Sequence, residues 1–451
     1  MNSPQTRSTT QLRLELSPRS DSTILDHSSS HSAICLFSSA GIGELGLEAA
    51  GAKILLANEL IQERVNLYRE NFPNTETIQG DIWEKRDEIV RRSKALLAGE
   101  ELFFLYATPP CQGMSTNGSG KLKSEIAAGR REQEEQRNRL IIPTIAIAKE
   151  LQPRFLLLEN VPQMATTKIR LPDGRDKLIL DFISDELNDS YEGTAEVLAC
   201  EDFGIAQRRK RLITIYTRDD AAKRYFKANG RSFISDQMRS PGPTLREAIG
   251  HLPPLDAVEP NNDRSDFHPQ HRVPVMKPEK YWWVSQTPEG ATAFNNQCPN
   301  QSCRSTTTPG HQEAKVDGRW VSLKNTPIYC ESCGELLPRP TVKERSGELR
   351  ALKGFHSAYR RMRWDQPART ITQNFIYEAS DNKIHPEQNR VLSVLEAMIL
   401  QSIDQYDYRF EIEGRDIGIP KIAEVIGESV APKLIETIAR QLISITRYNS
   451  E

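Results

Sequence analysis

One cysteine stands at a rigid corner of the chain, in a setting where a thiol could do chemistry. Cys111 follows the apolar run 102–106 and two prolines, and it precedes a loop rich in glycine and serine. A lone cysteine is ordinarily a small, buried, apolar side chain. Here the prolines stiffen the approach and the polar loop argues against burial. We therefore predict an accessible, reactive thiol at Cys111.

Charged side chains that could assist this thiol follow two later strand-like runs. Glu159 closes the apolar run FLLLEN, where it is either solvated at the strand tip or partly desolvated and suited to proton donation. Arg209 and Arg211 alternate in QRRKR, and this alternation predicts that both lie on one side of a strand. An exposed basic edge is the alternative. As functional groups, the two cations would favour the thiolate and hold a polar substrate.

Acceptor groups at three other strand ends indicate a binding site for an adenosine-bearing ligand. The small residues of FSSAGIGELG, at 37–46, follow a predicted strand and would let a ligand approach the backbone closely. Glu59 ends the next strand, where a ribose hydroxyl pair would be held, and Asp81 ends a third, where an adenine amino group could donate.

The order of elements predicts an α/β protein. Strand-like and helix-like segments alternate through the first half, which implies an open, mainly parallel sheet with ligands at the carboxyl ends of its strands. Near Ser240 the composition shifts toward Pro, Asn, Asp and His, and regular helical patterns return only near the C-terminus. We expect a flexible tail, an α/β domain, an irregular insertion and a segment that rejoins the α/β domain, at residues 1–31, 32–255, 256–360 and 361–451.

Four cysteines of the irregular region have the spacing of a metal site. They form one pair separated by four residues and a second pair separated by two, with 26 residues between the pairs. Such pairs, flanked by Gly and Pro, predict a zinc ribbon over 298–333, in which Zn²⁺ has a structural role. Four unrelated thiols are the alternative. The predicted ligands are Cys298, Cys303, Cys330 and Cys333.

Composition excludes several classes of protein. Seven cysteines in 451 residues are too few for a secreted disulfide scaffold. The chain shows neither an apolar run long enough to span a membrane nor a secretory signal, so we expect a cytoplasmic protein without membrane contact. Residues 261–363 contain 16 Lys and Arg against 10 Asp and Glu, although the whole chain has a net charge of −2. This basic region suggests a polyanion partner, with chance clustering as the alternative.

Six segments, taken together and in order, resemble the DNA cytosine-5 methyltransferase family. FSSAGIGELG is similar to its first motif, PPCQ to its nucleophile motif, ENV to its glutamate motif and QRRKR to its QxRxR motif. RMRWDQPARTIT resembles the motif after the target-recognition region. HPEQNRVLSVLEAMILQS, together with VIGESVAP, resembles the final motif. The resemblance covers roughly 33–255 and 361–445.

The resemblance implies a Rossmann-like, S-adenosyl-L-methionine-dependent fold, with a smaller target-recognition domain at 256–360. It implies that Cys111 attacks C6 of a flipped cytosine and that Glu159 holds the N3 proton and the exocyclic amine. Arg209 and Arg211 would orient the base and Glu159, and the loop 114–136 would act as a mobile lid. C5 would then accept the methyl group.

The resemblance also implies a set of cofactor-binding residues. Two positions depart from the family pattern: Ser39 replaces a frequent glycine, and Glu428 replaces the usual asparagine. The residues expected to bind S-adenosyl-L-methionine are Phe37, Ala40, Gly41, Ile42, Glu59, Leu60, Asp81, Ile82, Pro110 and Ser429.

Partners follow from the resemblance alone. We expect double-stranded DNA as substrate, a monomeric enzyme, and a cognate restriction endonuclease acting on the same sequence. Because no long regulatory region precedes the first motif, a bacterial or phage-encoded enzyme is favoured. Two alternatives stay open: an RNA cytosine-5 methyltransferase of the same fold, and a catalytically dead zinc-ribbon protein that binds DNA.

Overall fold

The computed structural model of the protein describes residues 31–110, 136–187, 190–316, 319–323, 325–353, 357–380 and 382–448. Its strands are β1 His31–Leu36, β2 Ala52–Glu59, β3 Glu76–Gln79, β4 Phe104–Ala107, β5 Phe155–Asn160, β6 Lys168–Arg170, β7 Asp176–Leu178, β8 Glu192–Ala199, β9 Gln207–Arg208, β10 Lys210–Thr217, β11 Glu313–Val316, β12 Arg319–Ser322, β13 Thr341–Lys343, β14 Leu349–Ala351, β15 Ala368–Arg369, β16 Glu411–Ile412 and β17 Arg415–Asp416.

Most of the helices lie between these strands, and two follow the last strand. They are α1 Glu44–Ala49, α2 Gln62–Asn71, α3 Ile82–Leu97, α4 Ile141–Leu151, α5 Ile179–Leu187, α6 Asp220–Ala228, α7 Leu245–Ile249, α8 Pro278–Ser285, α9 Val394–Leu400, α10 Ile419–Glu428 and α11 Pro432–Ile445.

A seven-stranded sheet organises the α/β part, in the order β3-β2-β1-β4-β5-β10-β8. The strands from β3 to β5 pair in parallel, and β10 pairs antiparallel with both β5 and β8. This confirms the predicted α/β class and the mainly parallel sheet. The carboxyl ends of β1, β2, β4 and β5 therefore meet at one edge, where the predicted chemistry is concentrated.

Both faces of the sheet are buried, which explains the nearly continuous apolar strands. Cys35 of β1 and Leu157 of β5 belong to one core cluster, which also contains Leu434 of α11, whereas Ile34 and Leu158 belong to a second cluster with α4. The C-terminal helices thus cover one face of the sheet. Gly46 permits close packing there, since a Cβ at this position would lie 2.2 Å from the carbonyl oxygen of Pro432.

The region between α7 and β15 is irregular. It holds α8 and the two-stranded antiparallel pairs β11–β12 and β13–β14. The expected domain boundaries stay predictions, although His31, placed in the tail from sequence, is the first residue of β1. Within the described ranges, no helix is long and apolar enough to cross a membrane.

Candidate active site

An ion pair between Glu159 and Arg211 lies at the carboxyl edge of the sheet. Glu159 is the penultimate residue of β5 and is 7% exposed. Arg211 lies near the start of the neighbouring antiparallel strand β10, and its Nε is 2.5 Å from Oε1 of Glu159. Such a partly buried pair fixes the orientation of the carboxylate.

The same edge holds the entry to the cysteine loop. The side-chain amide of Asn160, the last residue of β5, donates to the carbonyl oxygen of Pro109 at 3.0 Å. Thr108 donates its hydroxyl to the carbonyl of Phe37 at 2.9 Å, which ties this entry to the end of β1. Cys111 and the proposed lid up to residue 135 lie outside the described residues. Pro110, the last described residue before the cysteine, therefore lies near the end of β5, which carries Glu159.

Glu59 joins the end of β2 to the turn after β1. Its Oε2 accepts from the backbone N–H of Ser39 at 2.9 Å, and its Oε1 accepts from the backbone N–H of Ile61 at 2.9 Å. Ser39 has a φ of 47°, in the left-handed region that favours glycine. The hydrogen bond that Glu59 accepts from Ser39 thus stabilises this backbone conformation at the position where the family often has glycine. The carboxylate is 8% exposed and is held in one orientation.

Exposed apolar side chains flank the two predicted acceptors. Leu60, after Glu59, is 58% exposed, and Trp83, after Asp81, is 46% exposed. Oδ1 of Asp81 accepts from the backbone N–H of Trp83 at 2.9 Å and caps α3. Apolar faces beside carboxylate acceptors fit an adenosine group, which needs both. Ile82, in contrast, is 2% exposed and packs into the core.

The turn after β1 presents mainly backbone to the sheet edge. Phe37 and Gly41 have φ values of 60° and 86°. Ala40 and Ile42 are 1% and 2% exposed, so their side chains belong to the core and only their backbone can serve a ligand. The carbonyl of Ala40 accepts from the hydroxyl of Tyr408 at 2.7 Å, which links the turn to the C-terminal region.

Arg209 donates hydrogen bonds to backbone carbonyls of the C-terminal part of the chain. Its Nη1 donates to the carbonyl of Ile371 at 2.7 Å, and its Nη2 donates to the carbonyls of Gly427 and Ser429 at 3.3 and 2.8 Å. It is 2% exposed. The action of Arg209 together with Arg211 on Glu159 and the base stays a prediction. Arg209 lies at the break between β9 and β10, where its backbone N–H donates to the carbonyl of Gln207 and regular strand alternation is lost.

Four thiols of the irregular region converge. The Sγ atoms of Cys298, Cys303, Cys330 and Cys333 all lie within 4.8 Å of one another. Two of the distances are 3.6 Å, between Cys298 and Cys333, and 3.8 Å, between Cys303 and Cys330. Tetrahedral zinc with Zn–S bonds of about 2.3 Å requires S···S separations of about 3.8 Å. The donor set and its spacing therefore fit a Zn²⁺ ion.

A buried arginine organises the backbone beside these thiols. Arg339 is fully buried and donates to the carbonyls of Asn296, Pro309, Pro327 and Thr308 at 2.6 to 3.2 Å. Burial lowers the pKa of Arg339 to about 10. Since these carbonyls come from separate loops, Arg339 links the loops beside the thiols through its hydrogen bonds.

Comparison with known proteins shows the family to which the chain belongs. A family model described as C-5 cytosine-specific DNA methylase matches residues 32–444. The chain belongs to this family. The methyltransferase is 30% identical over 421 residues to the Type II methyltransferase M1.HgaI of Avibacterium volantium, which covers 91% of this chain and 98% of that protein. It is 25% identical over 415 residues to M1.HphI of Haemophilus parahaemolyticus, covering 91% and 86%.

Solved structures agree on the fold. A DNA modification methyltransferase encoded within an E. coli prophage superimposes with a TM-score of 0.51 at 21% identity, covering 92% of this chain and 99% of that one. DNMT2 of Spodoptera frugiperda superimposes with a TM-score of 0.53 at 13% identity, covering 92% and 100%. The protein is thus an S-adenosylmethionine-dependent DNA cytosine-5 methyltransferase, as its six motifs imply.

The methyltransferase contains an ion-pair cluster that its sequence motifs do not reveal. Nη2 of Arg64, in α2, lies 2.5 Å from Glu424 and 2.7 Å from Glu428. Burial raises the pKa of the Glu428 carboxyl above its ordinary value, and Arg64 opposes that rise. Arg64 therefore balances the carboxylate that stands where the family usually has asparagine. The partners are 360 or more residues apart, so no local pattern could have shown the pair.

Replacing Arg64 by methionine is expected to weaken S-adenosyl-L-methionine binding by roughly fivefold, equivalent to about 1 kcal/mol. The substitution leaves Glu424 and Glu428 without their shared cation and loosens the segment that leads into Ser429. Isothermal titration calorimetry measures the effect. The control is Arg69→Met on the same helix, because Arg69 donates to the hydroxyl of Thr77 at 2.8 Å in an exposed hydrogen bond away from Glu424 and Glu428. Equal affinities for the Arg64 and Arg69 variants would contradict the proposed role.

A buried carboxyl also lies beneath the cofactor turn of the methyltransferase. Glu44, in the first turn of α1, is 2% exposed, and burial raises its pKa to about 8. The group is therefore mostly neutral near pH 7. The burial of this first residue of α1 depends on the C-terminal helices that cover this face of the sheet.

Proposed function

We propose that Cys111, Glu159 and Arg211 form the catalytic centre of this DNA cytosine-5 methyltransferase. The observation that carries the assignment is the Glu159–Arg211 ion pair at the strand end whose Asn160 also holds Pro109, two residues before the cysteine. A carboxylate held in this way lies beside the entry of the thiol-bearing loop. Arg211 orients this carboxylate, and Arg209 holds the start of β10 against the carbonyls of the C-terminal segment.

The proposed reaction gives each residue one task. The thiolate of Cys111 forms a bond to C6 of a cytosine turned out of the duplex, which makes C5 nucleophilic. Glu159 holds the proton at N3 and accepts from the exocyclic amine, so negative charge does not accumulate on the ring. The C5–methyl bond would then form as the methyl–sulfur bond of S-adenosyl-L-methionine breaks, which leaves S-adenosyl-L-homocysteine. Loss of the C5 proton to solvent breaks the C6–S bond and returns Cys111 as a thiolate.

S-adenosyl-L-methionine supplies the methyl group as an electrophile. In the proposed site, Glu59 accepts from the ribose hydroxyls and Asp81 from the adenine amino group, with Leu60 against the base. Phe37, Gly41 and Pro110, together with the backbone of Ala40, Ile42 and Ile82, complete the walls. Ser429 closes the pocket from the C-terminal side.

The irregular region is proposed to recognise the target sequence, with 256–360 as its domain and 361–451 as the return to the catalytic domain at 32–255. The basic stretch 261–363, with 16 Lys and Arg against 10 Asp and Glu, suits the phosphate backbone of double-stranded DNA. A Zn²⁺ ion held by Cys298, Cys303, Cys330 and Cys333 is proposed to hold its loops together.

Purified protein is expected to contain about one zinc ion per chain. Cys330→Ser should lower zinc content and duplex DNA binding, while S-adenosyl-L-methionine binding is retained because the four thiols belong to the irregular region. Elemental analysis, calorimetry and a DNA mobility shift measure these three quantities. Cys200→Ser, at a buried thiol of the α/β part, is the control. A metal-free wild-type protein that binds DNA normally would refute the zinc site.

The enzyme is further proposed to be the modification half of a bacterial or phage restriction-modification system. Its relatives are named Type II methyltransferases, and such a role implies a restriction endonuclease that cuts the same sequence. A cytoplasmic, monomeric enzyme is part of this proposal. DNA from cells that express the protein is digested with restriction endonucleases of known specificity. The endonuclease to which this DNA has become resistant identifies the shared recognition sequence.

Methyl transfer to defined nucleic acids tests the proposed function. Tritiated S-adenosyl-L-methionine is incubated with duplex DNA or with transfer RNA, and the product is identified by mass spectrometry of nucleosides. We expect 5-methyldeoxycytidine from duplex DNA and little label in RNA. Label confined to RNA would favour the alternative of an RNA methyltransferase, and no label in either would favour a catalytically dead DNA-binding protein.

A further inference from the structure

Gln401 is a buried residue without an assigned role, at the C-terminal end of α9. It is fully buried, and its side-chain Nε2 donates to both the carbonyl oxygen and the hydroxyl of Ser429, each at 2.9 Å. Its Oε1 accepts from Nε2 of Gln207 at 2.6 Å. The nitrogen and the oxygen of this amide are thus both hydrogen-bonded, and the amide fixes the positions of Ser429 and Gln207 relative to each other.

Gln207 connects this amide to the strand that carries Arg211. It is fully buried in β9, its Nε2 also donates to the carbonyl of Leu400 at 3.0 Å, and its Oε1 accepts from the N–H of Ile371 at 2.8 Å. Two residues later, Arg209 donates to the same Ser429 carbonyl at 2.8 Å that Gln401 contacts. The chain then enters β10 and reaches Arg211.

The segment 427–429, which accepts these hydrogen bonds, is closely packed. A Cβ at Gly427 would lie 1.9 Å from the backbone nitrogen of Gln373, so the backbone is packed directly against a neighbouring loop. Ser429 is 7% exposed and also donates its hydroxyl to the carbonyl of Ile426 at 2.8 Å. A shift of Ser429 would therefore displace Gln401, Gln207 or Arg209, because buried polar groups must keep their partners.

We propose that Gln401 is a positioning residue that couples the cofactor site to the base site. Ser429 stands on the cofactor side and Arg211, with Glu159, on the base side, and the Ser429–Gln401–Gln207 bridge joins them. Occupation of one site holds the bridge in place and favours binding at the other. The inference rests on the roles proposed above for Ser429 and Arg211.

The bridge predicts a reciprocal effect that binding measurements can detect. The affinity for S-adenosyl-L-homocysteine, which cannot react, is measured by calorimetry with and without a duplex oligonucleotide that carries the methylated site found by bisulfite sequencing. The wild-type enzyme should bind it roughly fivefold or more tightly when the duplex is present, the usual scale of coupling between linked sites. Gln401→Met keeps the side-chain volume but removes both polar ends, and it should bring this ratio close to one.

A matched control separates coupling from stability. Ser393→Ala removes the N-cap of the same helix, where the serine hydroxyl accepts from the N–H of Glu396 at 3.1 Å, and it should lower the melting temperature without changing the ratio. If Gln401→Met does not fold, Gln401→Glu keeps the acceptor for Gln207, removes the donor to Ser429 and should show the same loss.

Each outcome bears on one claim. A wild-type ratio near one, an unchanged ratio in the folded Gln401 variant, or an equal loss in Ser393→Ala overturns the coupling. Methyl transfer by the wild-type enzyme is measured on the same duplex. Absence of transfer counts against the proposed function, whereas transfer combined with unchanged coupling in the Gln401 variant overturns this inference alone.

Discussion

Replacing Cys111 by alanine is expected to abolish methyl transfer while leaving the affinity for S-adenosyl-L-methionine within about twofold of the wild-type value. Without a thiolate, no bond forms at C6, and C5 of cytosine stays a poor nucleophile. The cofactor contacts proposed for Glu59, Asp81 and Ser429 do not involve the thiol. Transfer of a tritiated methyl group to duplex DNA and calorimetry measure the two properties.

The control for this variant is a second thiol substitution in the same sheet region. Cys200 is fully buried, and Cys200→Ala should retain most of the activity because this thiol packs in the core. Substantial residual transfer by Cys111→Ala would be incompatible with a covalent mechanism through this residue. Loss of activity in both variants would point to general damage.

Glu159→Gln is expected to lower kcat by roughly a hundredfold to ten-thousandfold, the usual contribution of a positioned acid or base. The amide keeps the size of the side chain but cannot hold the N3 proton in the same way, and it leaves Arg211 without its ion-pair partner. Single-turnover rates on duplex DNA, together with KM for the cofactor, separate the chemical step from binding.

A carboxylate remote from the site serves as the comparison. Glu101→Gln removes the partner of Arg154 and Arg218 at the other end of the sheet, where the ion pairs are partly exposed, and it should leave kcat nearly unchanged. A Glu159→Gln enzyme with a kcat within twofold of wild type would remove this residue from the catalytic centre.

The sheet and its active edge were accessible from sequence because both depend on local patterns. Apolar runs with turn residues between them predict parallel strands, and polar residues at the run ends, such as Glu59 and Glu159, must then meet at one edge. The cysteine pairs are also local, and their thiols converge in the structure. Each of these predictions needed only a few consecutive residues.

The contacts that the sequence did not reveal join segments far apart in the chain. Gln207 and Gln401 are 194 residues apart, and Arg209 reaches Ser429 across 220 residues. The direction of Arg209 depends on these carbonyl acceptors and on the break before β10, neither of which strand alternation can indicate. The same holds for the pairing of Arg64 with Glu428, which compensates a departure that the motif alone shows only as a mismatch.

Covalent capture of the enzyme on DNA tests the central claim most directly. A duplex with 5-fluorocytosine at the methylated position is incubated with enzyme and S-adenosyl-L-methionine, and the adduct is digested and mapped by mass spectrometry. Because fluorine replaces the proton that must leave C5, the C6–S bond persists, and we expect the modified base on the peptide that contains Cys111. An active enzyme that forms no adduct, or one attached to another residue, would contradict the account.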